Sequence, residues 1–272
     1  MAKIQNDKYY TSPELAKYCV KKTKEIIGED NITEYIEPSA GSGVFLDCLD
    51  KPYLAYDIEP EDERIVKADW LEIDLDYKKG RCVIGNPPFG VKNNLSVAFY
   101  KKSIPICDYI AFILPISQYK NDTKLFEFDL VYSEDLKERL FSDRVVHCSF
   151  NIYRRNESGI NSRPNHKLQD VEIIERIKNK NPKREKIFDV INQNYDLRIL
   201  AWGAGTGRIL NKLDSQYAKE FIVIIHNDIY RDLIIEKLKC VNWQNEYPMT
   251  ATPNLLQWQV YKYLKEQIPE LE

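Results

Sequence analysis

The sequence of 272 residues predicts an α/β fold, with a mainly parallel sheet covered by helices on both faces and a small C-terminal α+β domain. Strand-like and helix-like segments alternate from the N-terminal region to Arg155, which is typical of a doubly wound sheet. Several strand-like segments are continuous apolar runs, as in strands buried on both faces. After Arg155 the alternation stops, and residues 156–165 are polar and contain Gly159 and Pro164. This stretch predicts a linker, so we expect one domain at residues 1–160 and a second at 161–272.

The first predicted element is a helix that follows Ser12. Ser12 is a typical N-cap, and Pro13 is suited to the first helical turn. Apolar residues at helical spacing give this helix a buried side. Strands are then predicted at residues 34–37, 53–58, 65–68, 82–85, 109–114, 129–132 and 147–153, and helices at 43–49, 95–104 and 136–141.

In the C-terminal part, the sequence patterns that predict strands and helices are weaker than in residues 1–160. Residues 168–180 are a charged segment, and strand character is visible at 187–192, 197–202 and 221–226. A last helix is predicted at 254–267, with Thr252 as its cap and Pro253 at its start. Residues 200–207 form a second glycine-rich run, Leu-Ala-Trp-Gly-Ala-Gly-Thr-Gly. Because no strand ending in an acid follows at a suitable distance, we interpret this run as a hairpin or loop.

The composition excludes several classes of protein. No apolar run approaches the roughly 18–20 residues that span a bilayer, and the N-terminus lacks a signal-peptide core. The six cysteines are scattered without a C-x-x-C pair and there are three histidines, so we expect no metal site and no disulfide framework. A cytoplasmic protein is therefore expected. The net charge of −3 argues against a general polyanion binder, although a local basic face is enough to bind nucleic acid.

A glycine turn follows the strand predicted at residues 34–37. Such a turn between a strand and a helix lets the backbone approach a ligand closely. The next strand ends in Asp57 and Ile58, where a carboxylate can accept both hydroxyls of a ribose. A third strand end carries Asp69, which can accept from an adenine amine, and Trp70, which can flank the ring. The sequence therefore predicts a nucleoside cofactor, bound by Glu37, Pro38, Ser39, Ala40, Gly41, Gly43, Asp57, Ile58, Asp69 and Trp70.

A second turn, Asn86-Pro87-Pro88-Phe89, follows the strand at residues 82–85. The amino nitrogen of adenine is a poor nucleophile because its lone pair is delocalised into the ring. Two acceptors, the side-chain oxygen of Asn86 and the main-chain carbonyl of Pro87, would draw the lone pair back onto nitrogen. The prolines remove amide donors, and Phe89 offers a face for stacking. No Pro-Cys dipeptide is present, which disfavours attack on a pyrimidine carbon.

At these residues the chain resembles the S-adenosyl-L-methionine (SAM)-dependent methyltransferases that act on amino groups, in particular the adenine-N6 DNA methyltransferases of restriction–modification systems and phages. The resemblance covers residues 8–155. Asn86-Pro87-Pro88-Phe89 resembles the catalytic tetrapeptide of that family, and residues 113–115 and 149–151 resemble later sheet motifs. Ahead of the glycine turn, a polar segment resembles the family's N-terminal cofactor motif, with residues Tyr10, Thr11, Ser12 and Pro13.

The resemblance implies a Rossmann-like catalytic domain that binds SAM and flips the target base between Phe89 and Phe150. It implies double-stranded DNA as the partner, in a bacterial or phage-encoded protein, and leaves open a cognate restriction endonuclease. By position, the second domain would recognise the target. The candidate DNA contacts are basic or amide side chains near or within it: Arg154, Arg155, Asn161, Arg163, Lys167, Arg208 and Lys212.

Three alternatives stay open. Residues 90–94, Gly-Val-Lys-Asn-Asn, are similar to a segment of ribosomal-RNA adenine methyltransferases, so the polymer is less certain than the chemistry. Protein-glutamine methyltransferases use a similar Asn-Pro-Pro turn, usually followed by Tyr. A SAM-binding subunit without activity is the third alternative.

Overall fold

The computed structural model describes residues 10–141, 144–178, 195–211, 214, 216–249 and 252–272. The chain divides into two compact units, Met1–Pro164 and Asn165–Glu272. Each unit has its own sheet and its own hydrophobic core.

The first unit is built on a seven-stranded sheet with the order β3-β2-β1-β4-β5-β7-β6. The five strands from β3 to β5 in this order are parallel, whereas β7 runs antiparallel to both β5 and β6. The predicted fold class, a Rossmann-like α/β domain with a mainly parallel sheet, is confirmed. The strands are β1 (Glu34–Glu37), β2 (Tyr53–Asp57), β3 (Val66–Lys67), β4 (Arg81–Gly85), β5 (Tyr109–Pro115), β6 (Asp129–Phe141) and β7 (Arg144–Arg154).

Helices cover both faces of this sheet. Helix α1 (Pro13–Ile27) packs on one face, and α2 (Asn94–Ser103) packs on the other. Cys82 and Val83, neighbours on β4, belong to the hydrophobic clusters of opposite faces, which explains why this strand is apolar at every position. The Ser12 side chain accepts from the Leu15 backbone N–H, so the predicted cap of α1 is confirmed.

Two helix predictions in this unit are wrong. Residues 136–141 form the end of β6, because their backbone pairs with β7 from Lys137↔Cys148 to Phe141↔Arg144. This pairing outweighs the helix propensity of Leu, Lys, Glu and Arg in the segment. In residues 43–49, only Leu46–Cys48 are helical, as a single 3₁₀ turn, because so short a segment closes too few hydrogen bonds to sustain an α-helix.

The second unit has a four-stranded antiparallel sheet, with the order β10-β9-β11-β8. One face of the sheet and the helices share a single core, so the α+β prediction is confirmed. The strands are β8 (Val171–Ile177), β9 (Leu197–Leu200), β10 (Ile209–Leu210) and β11 (Lys219–Ile225). The helices are α3 (Arg231–Cys240), α4 (Trp243–Glu246) and α5 (Gln257–Gln267).

Several details of this unit differ from the sequence predictions. The charged segment 168–180 contains a strand, β8, and helix α3 is absent from the predictions. Helix α5 begins at Gln257 rather than at 254, because Asn254 forms an isolated β-bridge with Trp202. Thr252 and Pro253 therefore do not cap or start this helix. The glycine-rich run does connect the antiparallel strands β9 and β10, as predicted, and the strand predicted at 187–192 lies outside the described residues.

Candidate active site

The two sequence motifs lie at the same edge of the first sheet. Parallel strands end at a common edge, and the register aligns Ile36 with Val83 and Glu37 with Ala55. The strand order reverses direction between β1 and β4, which makes this edge a topological switch point. In open α/β sheets, ligands bind in the crevice outside the carboxyl ends of the strands at such a point.

The glycine turn after β1 is held by backbone and side-chain bonds. Ala40 N–H donates to the Tyr56 carbonyl over 2.9 Å, and Gly43 N–H donates to the Ala40 carbonyl over 2.7 Å. Gly41 has φ +53°, and a Cβ atom at this position would meet nothing within 4 Å. A side chain at Gly41 would thus project into the open space over the turn that a ligand needs.

Asp57, at the end of β2, accepts hydrogen bonds that stabilise this turn. Its Oδ2 accepts from Gly41 N–H at 2.8 Å, and its Oδ1 accepts from Glu59 N–H at 2.8 Å. Each carboxylate oxygen has a second lone pair. The same side chain can therefore hold the turn and accept hydroxyl groups from a bound ribose.

Glu37, at the end of β1, is a buried acid. The residue is 2% exposed, and among the described residues its Oε2 has no hydrogen-bond partner. Burial raises the pKa of this carboxyl well above its usual range, and the charges of Asp57 and Asp47 act in the same direction. The environment of this side chain therefore favours its protonated form, and a cationic group placed beside it would favour the ionised form.

The Asn86 turn is tied directly to the cofactor elements. Asn86 Nδ2 donates to Thr11 Oγ1 over 3.2 Å, and Ser39 Oγ donates to the Asn86 main-chain carbonyl over 3.3 Å. The polar segment before α1, the glycine turn and the Asn-Pro-Pro-Phe turn therefore meet at one place. Phe89 is 9% exposed and belongs to the hydrophobic cluster that includes α1.

Some predicted site residues are not placed as expected. Trp70 is 1% exposed and belongs to the core, where its ring centroid lies 6.0 Å from that of Tyr56. The indole packs among the apolar side chains of this core. It therefore cannot flank a ligand ring in this structure. Phe150 is 0% exposed, in the same cluster as Phe89, so it is a core residue rather than an open wall.

The remaining cofactor candidates are at the surface of this edge. Asp69 is exposed and its Oδ1 accepts from Leu71 N–H over 2.9 Å, which caps a short 3₁₀ helix. Ile58 is exposed as well. The Tyr10 hydroxyl donates to a Glu61 carboxylate oxygen, and Glu61 N–H donates to the Gly41 carbonyl over 2.9 Å.

Sequence reasoning missed Glu61 as a support of the glycine turn. It also missed Arg64, which forms ion pairs with Asp47 at 2.8 Å and Asp62 at 2.6 Å. A Cβ atom at Gly43 would lie 3.1 Å from the Arg64 guanidinium, so this group lies against the turn. No local sequence pattern marks either residue as a support of the turn, since Glu61 acts through Gly41 and Arg64 pairs with Asp47, both distant in the chain.

Three of the predicted DNA contacts are engaged within the first unit. Arg154 Nη2 donates to the Ile26 carbonyl over 3.1 Å, which stabilises the last turn of α1. Arg155 donates to the Cys107 carbonyl and forms an ion pair with Asp108 at 3.4 Å. Asn161 Nδ2 donates to Asp129 Oδ1 over 2.7 Å. As placed, these three side chains stabilise the fold, and their contact with DNA stays a prediction.

The other predicted DNA contacts are less constrained. Arg163 and Lys167 are exposed. Arg208 is exposed and donates to the Tyr217 hydroxyl over 2.6 Å. Lys212 lies outside the described residues.

Within the described residues, no helix has the length and apolarity required to cross a bilayer. In the same ranges, no set of three or more His, Cys, Asp and Glu side chains is arranged to hold a metal ion.

No protein-family model and no curated protein matches the chain. Similar solved structures include the 23S rRNA methyltransferase ErmE, with 13% identity over 57% of this chain and 72% of that one and a TM-score of 0.42. A Thermoplasma acidophilum protein has 21% identity over 57% and 93%, with a TM-score of 0.43. The M. jannaschii tRNA m1G37 methyltransferase has 19% identity over 55% and 52%, with a TM-score of 0.40. Likeness this distant carries no argument about activity, so the assignment of the first unit to a Rossmann-like α/β fold follows from its own strand order.

Proposed function

We propose that this chain transfers a methyl group from SAM to the N6 amine of adenine in DNA. The observation that carries the proposal is the link from Thr11 through Asn86 to Ser39. It joins a turn suited to activating an amine to a turn suited to holding a nucleoside cofactor, at the switch point of an open sheet.

The residues present fit SAM. Glu37 is a buried acid whose Oε2 has no hydrogen-bond partner among the described residues, and SAM carries cationic groups. Gly41 leaves open space above the turn, and Asp57 offers acceptors for ribose hydroxyls. When bound, SAM supplies an electrophilic methyl group on a sulfonium sulfur.

The Asn-Pro-Pro-Phe turn would activate the amine. Asn86 Nδ2 faces Thr11, which orients the amide so that its oxygen points elsewhere and can accept an amine hydrogen. The main-chain carbonyl of Pro87 would accept the other hydrogen. With both hydrogens held, the nitrogen lone pair would localise and attack the methyl carbon. The new N–C bond would form as the bond from that carbon to the sulfonium sulfur breaks, S-adenosylhomocysteine would be the leaving group, and one proton would pass from the methylated amine to solvent.

Phe89 would stack on the extruded base. Stacking on an aromatic side chain contributes about 1–3 kcal/mol per base. This gain offsets part of the few kcal/mol needed to flip a base from a duplex. The position of Phe89 in the sequence, directly after the amine-binding residues, supports this role.

DNA is proposed as the polymer because of the order of the motifs. The polar segment with Thr11 precedes the glycine turn, and a separate C-terminal unit follows the catalytic unit, as in the DNA-acting family that the sequence resembles. The second unit would then recognise the target.

The test is incubation of the chain with labelled SAM and, in parallel, plasmid DNA, total RNA and protein extract. We expect label in DNA, recovered as N6-methyladenine after digestion, and no label with Asn86→Ala. If label is recovered only from RNA or only from protein, the proposed substrate changes from DNA to that polymer. If SAM binds and no polymer is labelled, the chain is a binding subunit.

A further inference from the structure

The glycine-rich run of the second unit forms a rigid turn. Gly207 N–H donates to the Leu200 carbonyl over 2.7 Å, and Leu200 N–H donates to the Arg208 carbonyl over 2.9 Å. Gly207 has φ +94°, and a Cβ atom there would lie 2.2 Å from Cδ1 of the buried Trp243. Only glycine fits this position, so the turn is fixed against the core of the unit.

This turn presents an exposed indole. Trp202 is 47% exposed, whereas Trp70 and Trp243 are buried and Trp258 is partly buried. The Trp202 backbone bridges to Asn254, and the next residue, Gly203, donates from N–H to the Pro253 carbonyl over 2.9 Å. Because the backbone is anchored, the exposed indole is a preformed surface.

The backbone hydrogen bonds between Leu200 and residues 207 and 208 indicate that Arg208 and Trp202 share a face of the hairpin. Arg208 is opposite Leu200 in the antiparallel pair, and opposite residues share a face. Side chains alternate along a strand, so Trp202 shares the face of Leu200 and is a diagonal neighbour of Arg208. Diagonal neighbours are about 7–8 Å apart, within reach of two long side chains.

The Arg208 guanidinium is oriented by an aromatic residue. It lies 5.4 Å from the ring centroid of Tyr217 and donates to the Tyr217 hydroxyl over 2.6 Å. In the described part of the chain it has no carboxylate partner. The result is an exposed guanidinium held by Tyr217, with no carboxylate partner among the described residues.

We propose that Trp202 and Arg208 form a binding site for one nucleotide of single-stranded nucleic acid. The base stacks on the Trp202 indole, and the guanidinium of Arg208 pairs with the adjacent phosphate. Nucleic acid is the occupant that matches both features, since each nucleotide carries a planar ring and an anionic phosphate. The site goes beyond the methyl transfer proposed for the first unit and does not depend on it.

The test uses the full chain and a short single-stranded oligodeoxyadenylate that carries a fluorescent label. We expect saturable binding by anisotropy, with quenching of the Trp202 fluorescence, because a stacked base quenches indole emission. Trp202→Leu should weaken binding roughly 5- to 100-fold, the range expected for one stacked base. Trp202→Phe should keep most of the affinity and lose the quenching. Trp258→Phe is the matched control and should keep both.

Arg208→Gln tests the phosphate contact. It should weaken binding and reduce the slope of log affinity against log salt by about 1. Circular dichroism establishes that each variant is folded. Unchanged affinity for the oligonucleotide in both Trp202→Leu and Arg208→Gln would overturn the proposal. A chain that binds polyglutamate at this site and does not bind the oligonucleotide would overturn it as well. None of these measurements requires methyl transfer, so they are independent of the outcome for the first unit.

Discussion

Asn86 Nδ2 donates to Thr11 Oγ1 over 3.2 Å, although the two residues are 75 positions apart in the chain. This bond connects the residue proposed to activate the target amine with the segment that precedes α1. We expect Asn86→Ala to lower the rate of methyl transfer about a hundredfold or more, because the side-chain oxygen that accepts from the amine is lost where charge develops. SAM affinity, measured by calorimetry, should stay unchanged. Asn245→Ala, at an exposed amide of the second unit, is the control. Near-native turnover in Asn86→Ala would place activation of the amine elsewhere.

Thr11 is predicted to position Asn86. Thr11→Val keeps the shape of the side chain and removes the hydroxyl, so the amide of Asn86 loses a partner that fixes its orientation. We expect kcat to fall about tenfold, an effect of the size of one neutral hydrogen bond, with a smaller change in KM for the nucleic acid. Thr11→Ser should restore activity. Equal activity in the valine and serine variants would remove this bond from the mechanism.

Asp57 is predicted to contact the cofactor. Asp57→Ala should weaken SAM binding by about 1–3 kcal/mol, since the ribose hydroxyls lose their acceptor and Gly41 N–H loses its partner. Asp57→Asn retains one acceptor and should have an intermediate effect. The measurement is calorimetric titration, and Asp74→Ala, at an exposed acid of the same unit, should bind SAM normally. Wild-type affinity in Asp57→Ala would exclude Asp57 from the cofactor site.

Glu37 should make stability depend on pH. Because the pKa of its carboxyl is raised in the folded chain, the folded chain retains a proton that the unfolded chain releases above the ordinary value of 4.5. The contribution of this group is therefore complete below that value and declines as the pH rises toward the folded pKa. Glu37→Gln removes this decline, so the variant should gain stability relative to wild type between about pH 5 and pH 8.

Urea unfolding of wild type and Glu37→Gln at about pH 5 and pH 8 measures how the free energy of unfolding of each protein depends on pH. Parallel pH dependence in wild type and Glu37→Gln would show that Glu37 ionises normally. If a cation of SAM lies beside this carboxyl, binding should also release a proton, which calorimetry detects as a dependence of the binding enthalpy on the buffer.

Phe150 is predicted to act through stability. It is fully buried on β7, and its replacement by alanine leaves a cavity. Phe150→Ala should lower the free energy of unfolding by about 3–5 kcal/mol, whereas Phe89→Ala should cost less and reduce methyl transfer more. Chemical unfolding and activity of the two variants give the comparison. A Phe150 variant of normal stability that lost only activity would assign its ring to the target base.

Signals that depend on neighbouring residues in the chain could be read correctly from the sequence. Ser12 and Pro13 predict the start of α1 because capping is local. The apolar runs of β4 and β5 predict a sheet buried on both faces, and the glycine turns predict where the chain changes direction. The exact ends of elements were less predictable, as with α5, because a distant bridge between Trp202 and Asn254 delays its start.

The sequence by itself therefore determined the fold class and the pair of turns that carry the candidate site. The tertiary structure alone decided what surrounds each side chain. Residues 136–141 form a strand because they pair with β7. Arg154 and Arg155 donate hydrogen bonds to carbonyl groups of the first unit, and Trp70 is buried in the core. The tertiary structure also raises the pKa of the Glu37 carboxyl by removing water from it. The physical reason is the same in each case: pairing, burial and electrostatic environment are set by residues far away in the chain, and no local pattern encodes them.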